Sequence, residues 1–231
     1  MPAASPDAAS RPRQLALALD HSESFAREDF LAGPPNEAAL DLIDRWPEWP
    51  DRLLLLVGPE GSGKSHLAAI WAHAAGARFV AARALDAIDR IPAALATGAL
   101  VLEDLRPGRF DELALFHLIN LAREERAYVL LTARTGPAGW RIEIPDLASR
   151  LRALPVLTLA APDDALLRAV IVKLFVDRQL AVEENVVAFL AARIERSVAG
   201  ARDAVDRLDR EALRQQRPVT RALAGDLFRT P

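Results

Sequence analysis

Gly58-Pro59-Glu60-Gly61-Ser62-Gly63-Lys64-Ser65 is the stretch whose reading decides the fold. It has the spacing G-x-x-x-x-G-K-S. The apolar run Leu53 to Val57 precedes it, and an apolar-periodic stretch, His66 to Ala75, follows. Strand, glycine loop and helix, in that order, is the context that makes this pattern a phosphate-binding loop. Gly58, Gly61 and Gly63 let the backbone curl so that successive N–H groups point inward at phosphate oxygens. The helix that follows presents its positive N-terminal end to the same anion. Lys64 is placed to reach the β- and γ-phosphates, and the Ser65 hydroxyl to hold Mg²⁺. Of the 29 basic residues only Lys64 and Lys173 are lysines, and one of the two stands where the motif demands lysine.

Working outward, the other apolar runs alternate between strand and helix patterns. Asn36 is a fair N-cap for a helix running to about Trp46, ended by Pro47 and Pro50. Arg78 to Ala82 reads as a second short strand, and Leu85 to Ala96 as weakly helical and broken at Pro92. Ala99 to Asp104 is a buried strand ending in two carboxylates. Asp111 to Arg126 is a helix with Leu113, Phe116, Asn120 and Leu121 near one face. Tyr128 to Thr132 is a further strand, Pro145 to Leu151 a short helical turn, and Val156 to Leu159 the last strand. Strands alternating with helices predict an α/β fold, a parallel five-stranded sheet between helices. After Pro162 only helical periodicity remains, in Leu166, Leu167, Val170, Ile171, Leu174 and Phe175, then Val186, Val187, Leu190 and Ile194, then Val205, Leu208 and Leu213. A last helix covers about Thr220 to Phe228. The expected division is a flexible tail over residues 1–24, a nucleotide-binding α/β domain over 25–161 and an all-helical lid over 162–231.

Composition narrows the function classes. The 231 residues are 51% hydrophobic and carry a formal net charge of −3, so no global charge argues for nucleic-acid binding. There is no cysteine, hence no disulfide framework or thiolate metal site, and the four histidines are scattered. No run reaches the roughly 18 apolar residues of a membrane span. Met1 to Arg13 lacks the apolar region of a signal peptide, so a cytoplasmic protein is expected.

Glu103 and Asp104 stand at the carboxyl end of their strand, the edge where parallel sheets bind ligands. One carboxylate there can hold Mg²⁺, alongside Ser65, while the next polarises an attacking water. Arg150, in Asp146-Leu147-Ala148-Ser149-Arg150-Leu151, is a candidate for insertion into a neighbour's nucleotide, although it is one arginine among 27. Gln14-Leu15-Ala16-Leu17-Ala18-Leu19 is an apolar patch on a polar arm. It reads either as an edge strand or as a linear peptide that inserts leucines into a partner.

P-loop, acidic strand end, Ser-Arg-Leu segment and helical lid together resemble an AAA+ ATPase of the DnaA/Hda family. The likeness is nearer to the Hda branch, whose members inactivate the initiator DnaA. It covers Gln14 to about Phe228. Phe25 to Asn36 resembles the segment that helps to bind adenine, which implies nucleotide contacts from Phe30 and Leu31, and from His66 after the loop, to ATP or ADP. Gln14, Leu15, Leu17 and Leu19 resemble the branch's tail motif for the DNA-polymerase sliding clamp. Pro145 to Leu151 resembles its arginine-finger segment. The resemblance implies a partner of clamp and DnaA that stimulates hydrolysis of DnaA-bound ATP and limits re-initiation. Such a protein works in the cytoplasm at the replisome, and association into a homo-oligomer stays open.

Three departures accompany the likeness. Glu103 stands where the family has aspartate. Thr132-Ala133-Arg134 stands where a polar or acidic sensor is expected, with Thr132 as its substitute. Ala199 stands near the position of the lid's sensor arginine, leaving Arg196 or Arg202 to replace it. These imply slow intrinsic hydrolysis. No helix-turn-helix pattern with basic helices follows the lid, so sequence-specific DNA binding by that route is not expected. The competing readings are a non-catalytic adaptor that recruits a factor to the clamp, and a self-sufficient ATPase or loader.

Overall fold

A computed structural model describes residues 25–85 and 88–229. The tail motif Gln14 to Leu19 lies outside them. The strands are β1 (Leu53–Val57), β2 (Arg78–Ala81), β3 (Ala99–Leu105), β4 (Tyr128–Ala133) and β5 (Val156–Thr158). They form one parallel sheet in the order β2-β3-β4-β1-β5. The helices of this part are α1 (Glu37–Asp44), α2 (Lys64–Ala75), α3 (Ile91–Leu95), α4 (Glu112–Glu124) and α5 (Pro145–Ala153).

The strands read as continuous apolar runs because both faces of the sheet are covered. Alternate residues of each strand enter different cores, as the two-residue period requires. Leu53, Leu55 and Val57 join Leu100, Leu102, Val129 and Leu131 beneath α3, α4 and α5. Leu54 and Leu56 join Val101 and Leu130 beneath α1 and α2. Strand β1 lies between β4 and β5, so the chain leaving it must cross over β4 and β3 to reach β2. The loop after β1 therefore opens at the carboxyl edge where strand order reverses, the place where such sheets bind ligands.

The remaining helices are α6 (Asp164–Asp177), α7 (Glu184–Ala191), α8 (Val198–Gln215) and α9 (Arg221–Leu227). They bury a third core of their own, centred on Leu167, Ile171, Phe175, Leu190, Val205 and Leu208. Asp163, Ser197 and Thr220 cap α6, α8 and α9 by accepting from the N–H three residues on.

Four local expectations change. Helix α4 turns Ala114, Leu115, Leu118, Ile119 and Ala122 to the core, while Leu113 is half exposed. The stripe at 115, 118, 119 and 122 carries the 3.6-residue period, and Phe116 and Leu121 flank it. Pro92 stands at the start of α3, where its missing N–H has no helical partner to lose. The Pro145 segment is a nine-residue helix, not a short turn. Asn36 precedes α1 but caps nothing with its side chain; its amide faces backward, accepting from Gly33 N at 2.9 Å and donating to Leu31 O at 3.0 Å.

Candidate nucleotide-binding cleft

A cleft of about 1160 Å³ lies between the sheet's carboxyl edge and the helical unit. Its floor is the loop from Gly61 to His66; Phe30 and Leu31 line one wall, and α6 and α8 supply the other. Two glycines show why the loop tolerates no β-carbon. At Gly58 one would lie 2.5 Å from the Leu159 carbonyl oxygen and 2.8 Å from Ser62 Oγ. Gly61 has φ +69°, and a Cβ there would meet Ser197 Cβ at 2.8 Å and Ala199 Cβ at 3.0 Å. The start of α8 therefore rests directly on the loop, and Val198 N donates to Gly61 O at 2.8 Å.

The loop carries the features of an anion site. Helix α2 begins at Lys64, directly after Gly63, so its first N–H groups face the cleft. Ser62 Oγ is buried without a hydrogen-bond partner among the described residues. Lys64 Nζ donates to the Gly58 and Pro59 carbonyls at 2.8 and 2.7 Å. Burial lowers the Lys64 pKa and the charge of Arg134 adds to this, while Asp104, Glu60 and Glu103 oppose it. These charges therefore gather around one ammonium.

The wall of the cleft beside His66 is built from residues distant in sequence. His66 Nε2 lies 3.0 Å from the Ala26 carbonyl, and the rings of Phe25 and Phe30 meet its edge at 5.4 and 5.2 Å. Burial lowers the His66 pKa. Through Leu31 and Gly33, Asn36 pins the segment that lines this wall.

At the sheet edge, β3 carries an irregularity between Leu102 and Leu105 against β4. Asp104 has φ +61°, a region that aspartate tolerates better than most residues. Its N–H turns to Thr132 Oγ1 at 3.0 Å. Bulges of this kind re-aim side chains next to active sites. The Asp104 carboxylate accepts from Arg106 Nε at 2.8 Å, a partner it would have to give up to act as a base. Among the described residues no three His, Asp or Glu side chains gather as a metal site. Magnesium bound mainly through phosphates and water needs only one or two protein oxygens; Ser65 lines the cleft, and Glu103 acts on the charge of the neighbouring Lys64.

The cleft gathers Gly61, Ser62, Gly63, Lys64, Ser65, His66, Phe30 and Leu31. Gly58, Pro59 and Glu60 complete the loop, and Glu103, Asp104 and Thr132 flank it. Arg150 lies apart on α5, its guanidinium 5.0 Å from the centre of the Phe116 ring. The two candidates for the lid arginine separate: Arg202 lines the cleft, whereas Arg196 pairs with Asp164 and is exposed.

Sequence reading missed the lid's own contribution. Leu166, Val170, Lys173, Leu174 and Asp177 form one helical stripe facing the cleft. Lys173 bridges Asp29 and Asp177 at 2.7 Å each and so ties α6 to the segment before α1. Burial alone would lower its pKa, but the hydrogen bonds to Asp177 and Asp29 outweigh this and raise it. The visible signal was a lysine and an aspartate interrupting an apolar stripe at i and i+4.

A parallel five-stranded sheet in this order, flanked by helices and followed by a helical part, is the AAA+ α/β fold. The crystal structure of domain III of the Thermotoga maritima replication initiation protein DnaA is similar, with TM-score 0.73 and 19% identity, over 90% of this chain and 98% of that one. The Thermotoga maritima RuvB Holliday junction branch migration motor has TM-score 0.71 and 18% identity, over 89% and 72%. The AMPPCP-bound DnaA of Aquifex aeolicus has TM-score 0.66 and 16% identity, over 83% and 69%.

In sequence, the chain is 25% identical to the chromosomal replication initiator protein DnaA of Thermomicrobium roseum across 96% of its own length. It spans about half, 53%, of that initiator. An uncharacterized protein of Haemophilus influenzae is 24% identical, over 90% of this chain and 95% of its own. No protein-family model matches the chain.

Proposed function

We propose that the cleft binds ATP or ADP with Mg²⁺ and that the protein is an Hda-like regulator of replication initiation. On this reading it stimulates hydrolysis of DnaA-bound ATP while held at the sliding clamp by Gln14, Leu15, Leu17 and Leu19. In the cleft, the loop N–H groups and Lys64 take the phosphates. Ser65 and Glu103 hold the metal, while Phe30, Leu31 and His66 hold the nucleoside side.

The observation that carries the reading is the position of Arg150. On α5 it is half-buried against Phe116 of α4, outside the lining of its own cleft. A guanidinium so placed suits action on a second molecule's nucleotide. Its planar, permanently charged donors match the terminal phosphate as charge develops in phosphoryl transfer. A finger of this type is worth about 10³–10⁵ in rate in well-studied cases. The hold of Arg106 on Asp104 accords with slow turnover by the isolated chain.

The test is a reconstituted assay with clamp, DNA and ATP-loaded DnaA, following ADP production. Arg150→Ala should abolish stimulation while fold, nucleotide binding and clamp binding survive. Arg150→Lys should fail nearly as badly, because an ammonium makes no bidentate contact. Exposed Arg152 is the control. If Arg152→Ala fails and Arg150→Ala does not, the finger is the other arginine. If both stimulate normally, the adaptor reading replaces this one.

A further inference from the structure

Glu112 stands in the first turn of α4, but its side chain serves α5. Its Oε2 accepts from Glu143 N at 2.8 Å and from Ile144 N at 3.0 Å, and its Oε1 accepts from Glu143 N at 3.1 Å. These donors lie immediately before Pro145, the first residue of α5. The helix has no cap of its own there: Ile144 makes no side-chain cap, and Pro145 has no N–H to offer. A carboxylate 31 and 32 positions away supplies what is missing. Helix α4 does not need Glu112 for its own end, because Asp111 caps it by accepting from Ala114 N at 2.8 Å.

One turn along α4, Phe116 carries the Arg150 guanidinium, 5.0 Å from the ring centre. Residues four apart share a helix face, so one face of α4 holds α5 at its entry and again at Arg150. The remaining anchors of α5 are Leu147 and Leu151, both fully buried. Apolar burial is non-directional and fixes the depth of α5. Hydrogen bonds are directional and stronger to a charged acceptor, so those of Glu112 fix where α5 lies along α4.

We propose that Glu112 is a positioning residue for Arg150. It sets the place of α5 on α4 and thereby aims the guanidinium at a second molecule's nucleotide. Glu112 lies outside the lining of the cleft and acts only through α5. The proposal rests on the reading of Arg150 as the finger and adds to it the residue that aims it. Charge-assisted bonds of this kind favour one arrangement over its alternatives by about tenfold, and a misplacement of about 1 Å at a reacting group costs on the order of a hundredfold in rate.

The test is the reconstituted assay with clamp, DNA and ATP-loaded DnaA at varied DnaA concentration. Glu112→Ala should lower the maximal stimulated rate about tenfold or more. The half-saturating DnaA concentration should stay within about twofold, and nucleotide and clamp affinity should match the parent's. Glu112→Gln keeps an acceptor oxygen at the same reach and should restore the rate to within about threefold of the parent. Glu112→Asp keeps the charge but is one methylene short; it should lose rate as alanine does, and it carries the test if the alanine variant does not fold. The chain has no cysteine, so Arg152→Cys gives one attachment point for a nitroxide on the exposed side of α5. In the electron paramagnetic resonance spectrum, Glu112→Ala or Glu112→Asp should raise the mobility of that label and Glu112→Gln should not.

A cap with no part in aiming would lower the melting temperature and leave the maximal rate of the folded protein unchanged, and that result overturns the proposal. So does a lost rate with an unchanged label spectrum, or an aspartate variant as active as the parent. If Arg150→Ala stimulates normally, the finger reading fails and this inference with it. If Arg150→Ala is inactive while Glu112→Ala keeps the parent's maximal rate, the inference alone fails.

Discussion

Replacing Gly61 by alanine probes the contact that couples the lid to the phosphate loop. The backbone there is left-handed, with φ +69°, which costs a residue bearing a β-carbon about 1–2 kcal/mol. The new methyl would lie 2.8 Å from Ser197 Cβ and 3.0 Å from both Ser197 Oγ and Ala199 Cβ. Helix α8 must then withdraw. Withdrawal loses the Val198–Gly61 hydrogen bond, about 1 kcal/mol. It also disturbs the Ser197 cap on Gly200 N, about 1 kcal/mol more. The sum is about 3–4 kcal/mol, or roughly 6–16 °C in melting temperature for a chain of this size. Gly76 supplies the control. It is also left-handed, with φ +63°, but a Cβ there meets nothing within 4 Å. Gly76→Ala therefore carries the backbone cost alone, about 1–2 kcal/mol, and should leave nucleotide affinity unchanged. Gly61→Ala should in addition weaken nucleotide binding at least about tenfold, since the lid wall of the cleft rests on the loop that forms its floor. Thermal melts and titrations on both variants decide the matter. If Gly61→Ala melts no lower than Gly76→Ala and binds nucleotide as the parent does, the lid does not bear on the loop as argued.

Lys64→Ala should abolish nucleotide binding and, with it, the rise in melting temperature that nucleotide gives the parent; equal occupancy in both proteins would refute the site. His66 should make stability pH-dependent. Burial lowers its pKa in the fold, so the unfolded chain binds the proton more strongly. Its contribution is complete above the ordinary histidine value of about 6.5 and is lost as pH falls through the lower folded value. The melting temperature of His66→Gln should fall less than the parent's on acidification through this range, and parallel curves would count against the assignment. For the tail, replacing Leu17 and Leu19 together by alanine should weaken clamp binding at least about tenfold, since burying one leucine is worth about 1.5–3 kcal/mol. A direct binding assay that finds the affinity unchanged removes the clamp from the proposal.

Much of the architecture was legible because it depends on neighbours in the chain. Five short apolar runs became five strands, since a run of leucines such as Leu53 to Leu56 is stable only where both faces are covered. The glycine spacing around Lys64 announced a curled loop before a helix, and the change of periodicity after Pro162 announced the helical part. Which face of α4 is buried was less legible, because Leu113 and Leu115 are equally apolar and only packing chooses between them.

The pairing of distant charges was decided by tertiary structure alone. Glu60 and Arg134 are 74 positions apart, and they meet because parallel register sets Val57 beside Ala133 and brings the residues beyond both strands together. Lys173 finds Asp29 only when α6 folds back across the cleft. Arg196 and Arg202 look interchangeable in the sequence, yet the turn of α8 and its approach send one to Asp164 and the other to the cleft wall. Local pattern specifies elements because periodicity and turn chemistry act over a few residues. The site's electrostatics depend on which elements become neighbours, and sheet order and lid docking settle that.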